Sequence, residues 1–298
     1  MMPKVAIRIM FTILVLGGLA AAGPQAAMAG EMRQGGKLLL TGGVSSVEGA
    51  AGGGLASWAL IAGNETDAGI GAKAHATYVA LPDFDLTSGG VAVGIKDRVE
   101  LSFARQSFDT RNAGAALGLG KGFRFGQDIY GAKVRLIGSA VYDQDRILPQ
   151  ISIGVQHKRA DKAPIIRAVG GRQSEGTDFY LAATKIILSR SLVVNATVRI
   201  TKANQFGLLG FGGDRNDVYT AKFEGSAGML VRRNLLVGAE YRTRPSNLGF
   251  AREQRGLDVF AAWSASKHVA LTAAYVDLGD IATMRRQRGL FLSVQGSL

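Results

Sequence analysis

LVVNATVRIT, residues 192–201, alternates between two kinds of side chain. Its even positions are all apolar, and from position 195 onward its odd positions are all polar. A period of two places successive side chains on opposite faces of a β-strand, whereas a helix would distribute them around its axis. One wholly apolar face and one polar face indicate a strand that separates two different media.

The same alternation recurs along most of the chain, in residues 70–78, 99–103, 130–136, 150–156, 219–229, 235–242 and 290–298. Many apolar positions are alanine, whereas the dry face of a soluble sandwich carries bulky side chains that fill a core. Strands of about ten tilted residues with one apolar and one polar face are typical of outer-membrane barrels. We therefore predict an all-β fold, a transmembrane antiparallel up-and-down β-barrel, in which closure pairs every backbone group.

The connections between these segments alternate in length. Tight turns at 95–99, 189–191, 232–234 and 266–268 separate long polar links at 108–127, 159–177, 202–216, 244–255 and 278–287. Outer-membrane barrels have short periplasmic turns and long outer loops. The regular pattern holds back to about residue 69.

The strand count depends on the segment before residue 69. Lys37–Thr41 and Ser57–Gly63 would complete a wall of about fourteen strands. If they form an internal plug instead, twelve strands remain. The glycine-rich link Gly42–Gly54 lies between the two segments, and the alternation leaves both arrangements open.

The N-terminus has the pattern of a secretory signal peptide. Lys4 and Arg8 precede an apolar run at 9–22, and Ala27-Met28-Ala29 offers small residues for cleavage. We predict a signal peptide at residues 1–29 and a single outer-membrane barrel domain at 30–298. The alternative interpretation of the apolar run is an N-terminal membrane anchor. No later run reaches the ~18 apolar residues of a membrane helix, which excludes a polytopic helical membrane protein.

Six tyrosines fall near the predicted outer ends of strands, and most lie on the apolar face: Tyr78, Tyr130, Tyr180, Tyr219, Tyr241 and Tyr275. A ring buried in lipid with a wet hydroxyl is typical of the aromatic girdle at a membrane interface. The pattern therefore predicts an interfacial aromatic girdle; the alternative is the ordinary β-propensity of tyrosine, which would not select one end of the strands.

Signals for catalysis are sparse. The absence of cysteine excludes disulfides, cysteine-ligated metals and a thiol nucleophile. His75, His157 and His268 are the only histidines, and none has a serine or carboxylate at a spacing that suggests a nucleophile and its base. We predict no enzyme activity, no cofactor and no metal site, with an envelope enzyme kept as the third function hypothesis.

The formal net charge of +12 comes from 35 lysines and arginines against 23 acids. Alternation places several charged residues on the inner wall, where Glu100 partly neutralises them. A cationic wall would favour the passage of anions. Alternatively, paired charges on neighbouring strands fill a structural interior. The predicted pore-lining residues are Lys73, His75, Lys133, Arg135, Arg199, Lys222, Glu224, Glu240 and Arg242.

Predicted partners follow from export to the envelope. Basic residues of the long links are suited to phosphates of outer-membrane lipid and lipopolysaccharide: Arg159, Lys162, Arg167, Arg172, Arg252, Arg255, Arg285 and Arg286. Residues 287–294 resemble the signal read by the barrel-insertion machinery, although the chain ends in Leu298 rather than an aromatic residue. Small anionic or polar solutes are possible cargo, and nucleic acid is not expected.

Four motifs resemble an uncharacterised Gram-negative family catalogued as domain of unknown function 3034. They are GKLLLTGG at 36–43, ELSFARQ at 100–106, LGLGKGF at 117–123 and TKANQFG at 201–207. The resemblance covers nearly the whole chain after residue 29. It implies an outer-membrane barrel and brings no known activity and no catalytic residues.

Two functions of different classes therefore stand first. One is a passive, narrow channel with an anion-leaning lumen, and the other is a non-conducting structural or lipid-binding barrel of the envelope. The segments 42–54 and 108–127 discriminate between them. If either segment folds into the lumen, conduction in the resting state is not expected.

Overall fold

The computed structural model describes residues 37, 39–40, 42–66, 69–141 and 147–298. Within these residues, twelve antiparallel strands close into a barrel. The wall strands are β3 (Ile70–Ala80), β4 (Asp85–Ile95), β5 (Val99–Asp109), β6 (Arg124–Ile137), β7 (Gln150–Ala160), β9 (Glu175–Ile187), β10 (Leu192–Thr201), β12 (Thr220–Arg232), β13 (Leu235–Arg242), β14 (Gly256–Ser264), β15 (Val269–Asp277) and β16 (Arg288–Ser297).

Each wall strand pairs with the next wall strand along the chain, and β16 returns to pair with β3. In that closing ladder Phe291 lies opposite Val79 and Ser297 lies opposite Lys73. The predicted up-and-down barrel is therefore confirmed, and every wall strand has two neighbours to bond its backbone.

Side-chain polarity is the reverse of that in a soluble protein. In β10 the polar residues Asn195, Thr197 and Arg199 are buried inside the barrel, while Val198 on the outer face is 47% exposed. Leu101 and Phe179, on other strands, are 53% and 49% exposed. A wall with an apolar exterior and a polar interior is suited to lipid outside, as the alternation in the sequence predicts.

The two rims differ as predicted. At the turn end, β4 and β5 meet over 95–99, and β12 and β13 meet over 232–235. At the loop end, long links carry helices α1 (Ala113–Ala116) and α2 (Ala163–Ala168) and the paired strands β8 (Gly171–Gln173) and β11 (Phe211–Gly213). Among the described residues, no helix has both the length and the apolar character needed to cross a membrane.

The wall has twelve strands rather than about fourteen. Ser57–Gly63 does not join it, because β3 and β16 pair directly and leave no place in the ladder. Residues 42–63 instead fold inside the barrel as a plug, which contains the short strands β1 (Val44–Ser45) and β2 (Ala51–Gly52). The segment Lys37–Thr41 lies partly, and the predicted signal peptide wholly, outside the described residues.

The tyrosine prediction holds for the exposed rings and is wrong for one. Tyr130, Tyr219 and Tyr275 are 51%, 43% and 56% exposed on the outer face. Tyr180 faces the interior, because it shares its face of β9 with the buried Asp178. Its ring lies 5.0 Å from the guanidinium carbon of Arg199, which gives it a charged partner inside the barrel.

Candidate functional site

The plug enters and leaves the lumen at the turn end. Lys37 before it forms an ion pair of 2.8 Å with Asp97 in the β4–β5 turn. Asn64 after it donates its backbone N–H to the carbonyl of Leu298, the last residue, at 3.2 Å. Val47 marks the inner end, where its carbonyl accepts a bond of 2.7 Å from the Ser88 hydroxyl. The plug is therefore a loop whose two ends lie at one rim.

Glycines allow the plug to approach the wall closely. A Cβ on Gly53 would overlap the carboxylate of Glu240, so no larger residue fits there without a shift of that side chain. Gly43 has a φ of +69°, a left-handed conformation that glycine adopts at no steric cost. The glycine-rich composition of residues 42–54 therefore has a structural cause.

Charged wall residues bind the backbone of the plug. The Lys133 Nζ donates to the carbonyls of Ala51 at 3.0 Å and Leu60 at 2.6 Å. Glu100 accepts from the backbone amides of Ala51 at 3.2 Å and Ala62 at 2.8 Å. Because Lys133 and Glu100 also form an ion pair of 3.2 Å, one buried pair satisfies four backbone groups of the plug.

The same principle operates elsewhere on the wall. Lys73 donates to the carbonyl of Gly43 at 2.8 Å. Glu240 accepts from the amide of Leu55 at 2.7 Å and from the indole of Trp58 at 3.2 Å. A buried backbone group without a partner costs about 1–3 kcal/mol, so these side chains take the place of a β-ladder for the plug.

Ser57 in the plug has all its polar groups bonded to the wall. Glu224 accepts from its backbone N–H at 2.9 Å, and Thr197 donates to its carbonyl at 2.7 Å. Arg199 donates to its hydroxyl at 2.9 Å. The backbone N–H, the carbonyl and the hydroxyl oxygen of Ser57 therefore each have a partner on the wall.

A charge cluster anchors the inner end of the plug. Glu48 of the plug lies 2.5 Å from Lys158, 2.8 Å from Arg242 and 3.7 Å from Arg199. Every side chain involved is at most 4% exposed. Three acids face three bases, so the cluster carries no net formal charge: Glu48, Asp178, Glu224, Lys158, Arg199 and Arg242.

The nine predicted pore-lining residues take four different positions. His75 is buried in the wall, with Nε2 3.4 Å from the Ser88 hydroxyl. Arg135 forms an ion pair of 2.7 Å with Asp97 at the turn end, and Lys222 lines an open groove at the loop end. The other six contact the plug: Lys73, Lys133, Arg199, Glu224, Glu240 and Arg242.

Sequence reasoning missed several charged residues of this interior. Lys158 follows Gln156 at the same parity, so a longer reading of strand β7 would have found it. Asp178 and Asp258 lie on strands whose inner faces also carry aromatic residues, which masks the alternation. In the described wall strands the buried charges are five bases and five acids: Lys73, Lys133, Lys158, Arg199, Arg242, Glu100, Asp178, Glu224, Glu240 and Asp258.

A cap loop, residues 203–210, folds over the plug from the loop end. The Phe206 ring lies 4.6 Å from the guanidinium carbon of Arg242 and 4.9 Å from that of Arg244. The Phe206 carbonyl accepts from Lys158 at 3.2 Å, which links the cap loop to the charge cluster. Gln205 and Phe206 have φ values of +46° and +61°, a strained conformation that persists only where the surroundings impose it.

Glu253 in the β13–β14 loop supports the cap loop and has a perturbed acidity. It accepts from the backbone N–H of Gln205 at 2.8 Å. Burial raises its pKa from 4.5 to about 7, and the Arg244 guanidinium 3.9 Å away opposes this rise. The folded state therefore holds a proton on Glu253 over a pH range in which the unfolded chain releases it.

We expect this proton to make the stability depend on pH. The contribution of Glu253 is complete below a pH of about 4.5 and is lost as the pH rises to about 7. The free energy of unfolding of the wild type, relative to Glu253→Gln, should fall by at most about 3 kcal/mol between these limits. Urea unfolding in lipid vesicles measures the difference, and parallel pH profiles for the two proteins would contradict it.

The remaining histidines lie away from the plug. His157 Nδ1 is 3.0 Å from the Thr177 hydroxyl on the outer face, and His268 Nδ1 is 2.9 Å from the carbonyl of Ser297. Within the described part of the chain, no hydrogen bond or ion pair joins a histidine to a carboxylate. Nor do those residues include a group of three side chains placed to hold a metal ion.

The closed antiparallel wall, apolar exterior and polar plugged interior define an outer-membrane-type β-barrel. The chain belongs to the family described as "Protein of unknown function (DUF3034)", which matches residues 41–295. This membership confirms the resemblance carried by the four sequence motifs. No curated protein has a matching sequence.

Solved structures with a similar fold include porins and a phospholipase. The KdgM porin in complex with disordered oligogalacturonate is 10% identical, with a TM-score of 0.50 over 76% of this chain and 99% of that chain. The NanC porin is 9% identical, with a TM-score of 0.46 over 76% and 98%. Outer membrane phospholipase A from Escherichia coli is 8% identical, with a TM-score of 0.41 over 76% and 92%. At such identities the likeness concerns the fold alone.

Proposed function

We propose that this protein is an outer-membrane barrel whose own N-terminal segment closes the lumen, so that its resting state does not conduct ions. One observation carries the proposal: buried charged and polar wall residues bond the backbone of the plug along its length. The same wall side chains form both the ion pairs and the hydrogen bonds to the plug backbone. Water can therefore replace these interactions only if the whole plug leaves the lumen. This is the non-conducting alternative of the sequence analysis.

Withdrawal of the plug would leave buried charges of the wall without their partners. Removing one partner from a buried ion pair costs about 3–5 kcal/mol, because the remaining charge stays uncompensated. Glu48 has three basic neighbours, so withdrawing the inner end of the plug disrupts several such contacts together. The closed state is therefore the resting state in this proposal.

A passive channel is the second candidate, as a state in which the plug has moved. The hydrogen bonds between the plug and the charged wall favour it, since water can replace them, whereas the apolar contacts of Leu55, Trp58 and Leu60 favour the closed state. The five bases and five acids buried in the described wall strands balance formally, while the half-buried Arg135 and Lys222 near the two rims add a small excess of positive charge. We therefore propose a conducting state without strong anion preference.

Planar-bilayer recording of the refolded mature chain tests the proposal. We expect no resolved openings from a sample whose heat-dependent electrophoretic mobility shows that the barrel is folded. Frequent discrete openings from the unmodified chain would show that the plug does not close the lumen. Reversal potentials under a salt gradient then report the selectivity of any openings.

The surroundings of the barrel form part of the proposal. The exposed apolar face is suited to outer-membrane lipid, and the basic loops are suited to lipid phosphates. Assembly by the barrel-insertion machinery stays a prediction from the C-terminal strand. We propose no enzyme activity, since the Ser88 hydroxyl that lies 3.4 Å from His75 donates to the Val47 carbonyl of the plug, and among the described residues no histidine is bonded to a carboxylate.

A further inference from the structure

An apolar cavity of about 140 Å³ lies inside the barrel at the loop end. Val47 and Leu55 of the plug form its floor, and Val79 and Phe291 belong to its side wall. Residues of the five long loops and their helices form the remaining sides. Each of these loops contributes at least one lining residue, in chain order Leu117, Ile165, Leu208, Phe250 and Ile281.

This cavity sits on the apolar side of a divided interior. The charged residues of the plug contacts lie mainly on β7 to β13, whereas the inner face from β14 round to β3 carries Phe260, Val276, Phe291 and Val79. Each of these four is at most 4% exposed. Contact with lipid explains the apolar outer face of a barrel but not an apolar patch inside its lumen, so this inner patch has a separate cause.

The cavity is reachable from the loop end. Phe250 is 39% exposed, and Leu117 and Leu119 are half-buried, so the outer side of the lining lies at the surface. The plug and the wall close the opposite side. A molecule that enters from the loops therefore meets the floor formed by Val47 and Leu55 and stops there.

One buried polar group at the lining points to the chemistry of the ligand. Gln205 lines the cavity and is 5% exposed. Arg244 donates to its Oε1 at 3.4 Å, which fixes the orientation of the amide, and its Nε2 has no partner among the described residues. A buried donor without an acceptor is unfavourable, and the surroundings that impose the left-handed φ of Gln205 keep it in this position.

We infer that this cavity binds a small, largely apolar molecule that carries one hydrogen-bond acceptor, which the Gln205 amide bonds. The cavity volume limits the ligand to about the size of a molecule with one aromatic ring, since an apolar protein cavity of about 150 Å³ accommodates benzene. A compact ring with one carbonyl oxygen meets both conditions. A charged or strongly hydrated solute does not, because the lining has almost no group to replace its water.

This inference rests on the closed barrel, because the plug supplies the floor of the site. Displacement of the plug removes Val47 and Leu55 and so opens the cavity to the lumen. A ligand that fills the cavity therefore favours the closed state by binding it alone.

Ligand-observed NMR on the full mature chain in nanodiscs tests the inference with two probes of similar shape, acetophenone and ethylbenzene. Only acetophenone has an acceptor. We expect it to bind about tenfold more tightly than ethylbenzene, in line with one satisfied donor. Gln205→Met should abolish that preference while ethylbenzene binding persists.

Leu117→Trp provides the second variant, because the larger ring fills the cavity from a half-buried loop position. It should remove the binding of both probes. Equal signals from the wild type and Leu117→Trp would show partition into lipid only and overturn the inference, as would an acetophenone preference that survives Gln205→Met. Conductance of the same samples separates the two proposals: a silent barrel that binds neither probe contradicts the site alone.

Discussion

Deletion of residues 43–62 is expected to turn a silent barrel into an open channel. The deletion leaves the wall intact, because the plug contributes no strand to the closed ladder. Its two ends lie side by side, since a Cβ on Gly42 would sit 3.2 Å from the Gly63 carbonyl oxygen, so the chain can be rejoined there. The polar inner wall then becomes hydrated, as in wider barrels that leave an aqueous channel.

Planar-bilayer recording measures the change, from no resolved openings in the full chain to discrete openings in the deletion variant. The balanced inner wall predicts weak ion selectivity. Heat-dependent mobility verifies that the variant is folded. A folded deletion variant that stays silent would show that another part of the chain, such as the cap loop, closes the lumen.

Replacement of Glu48 by alanine is expected to be the most damaging single substitution in the plug. It leaves Lys158, Arg199 and Arg242 with only two acids, Asp178 and Glu224. An uncompensated buried charge costs about 3–5 kcal/mol. Glu48→Ala should lower the free energy of unfolding by that amount, and Glu48→Gln should lower it less because the amide retains part of the hydrogen bonding.

A double substitution separates charge imbalance from lost packing. Lys158→Met added to Glu48→Ala restores two bases against two acids in the cluster. We therefore expect the double variant to be more stable than the sum of the single effects by about 1–3 kcal/mol. Additive effects in urea unfolding would contradict a role for charge balance at Glu48.

The wall was predictable because its signal is local. The alternation of LVVNATVRIT predicts strand β10 with its observed bounds, and it places Thr197 and Arg199 inside and Val198 outside. Each side chain of such a strand lies either on the outer face or in the polar interior, so its polarity indicates which face of the wall it occupies. The tight turn at 95–99 was predictable for the same reason, since it interrupts two alternating runs.

The plug was not predictable in the same way. Ser57–Gly63 alternates too, but Trp58 and Leu60 face other buried side chains rather than lipid, and a period of two does not distinguish these surroundings. Glu48 stands alone in a glycine-rich link, and only its distant partners reveal its role. Sequence reasoning identified six wall residues that contact the plug but missed Lys158 and Asp178, and it did not show that the plug occupies the space between them.

The most direct test of the account asks whether water reaches the inner wall. The chain contains no cysteine, so Thr197→Cys introduces a single thiol behind Ser57 of the plug. Reaction of the folded barrel with a membrane-impermeant maleimide measures its accessibility, with Lys267→Cys in an exposed turn as the control for a reactive site. The account predicts that Thr197→Cys stays protected in the full chain and reacts in the variant without residues 43–62. Labelling in the full chain as fast as in that variant would contradict it.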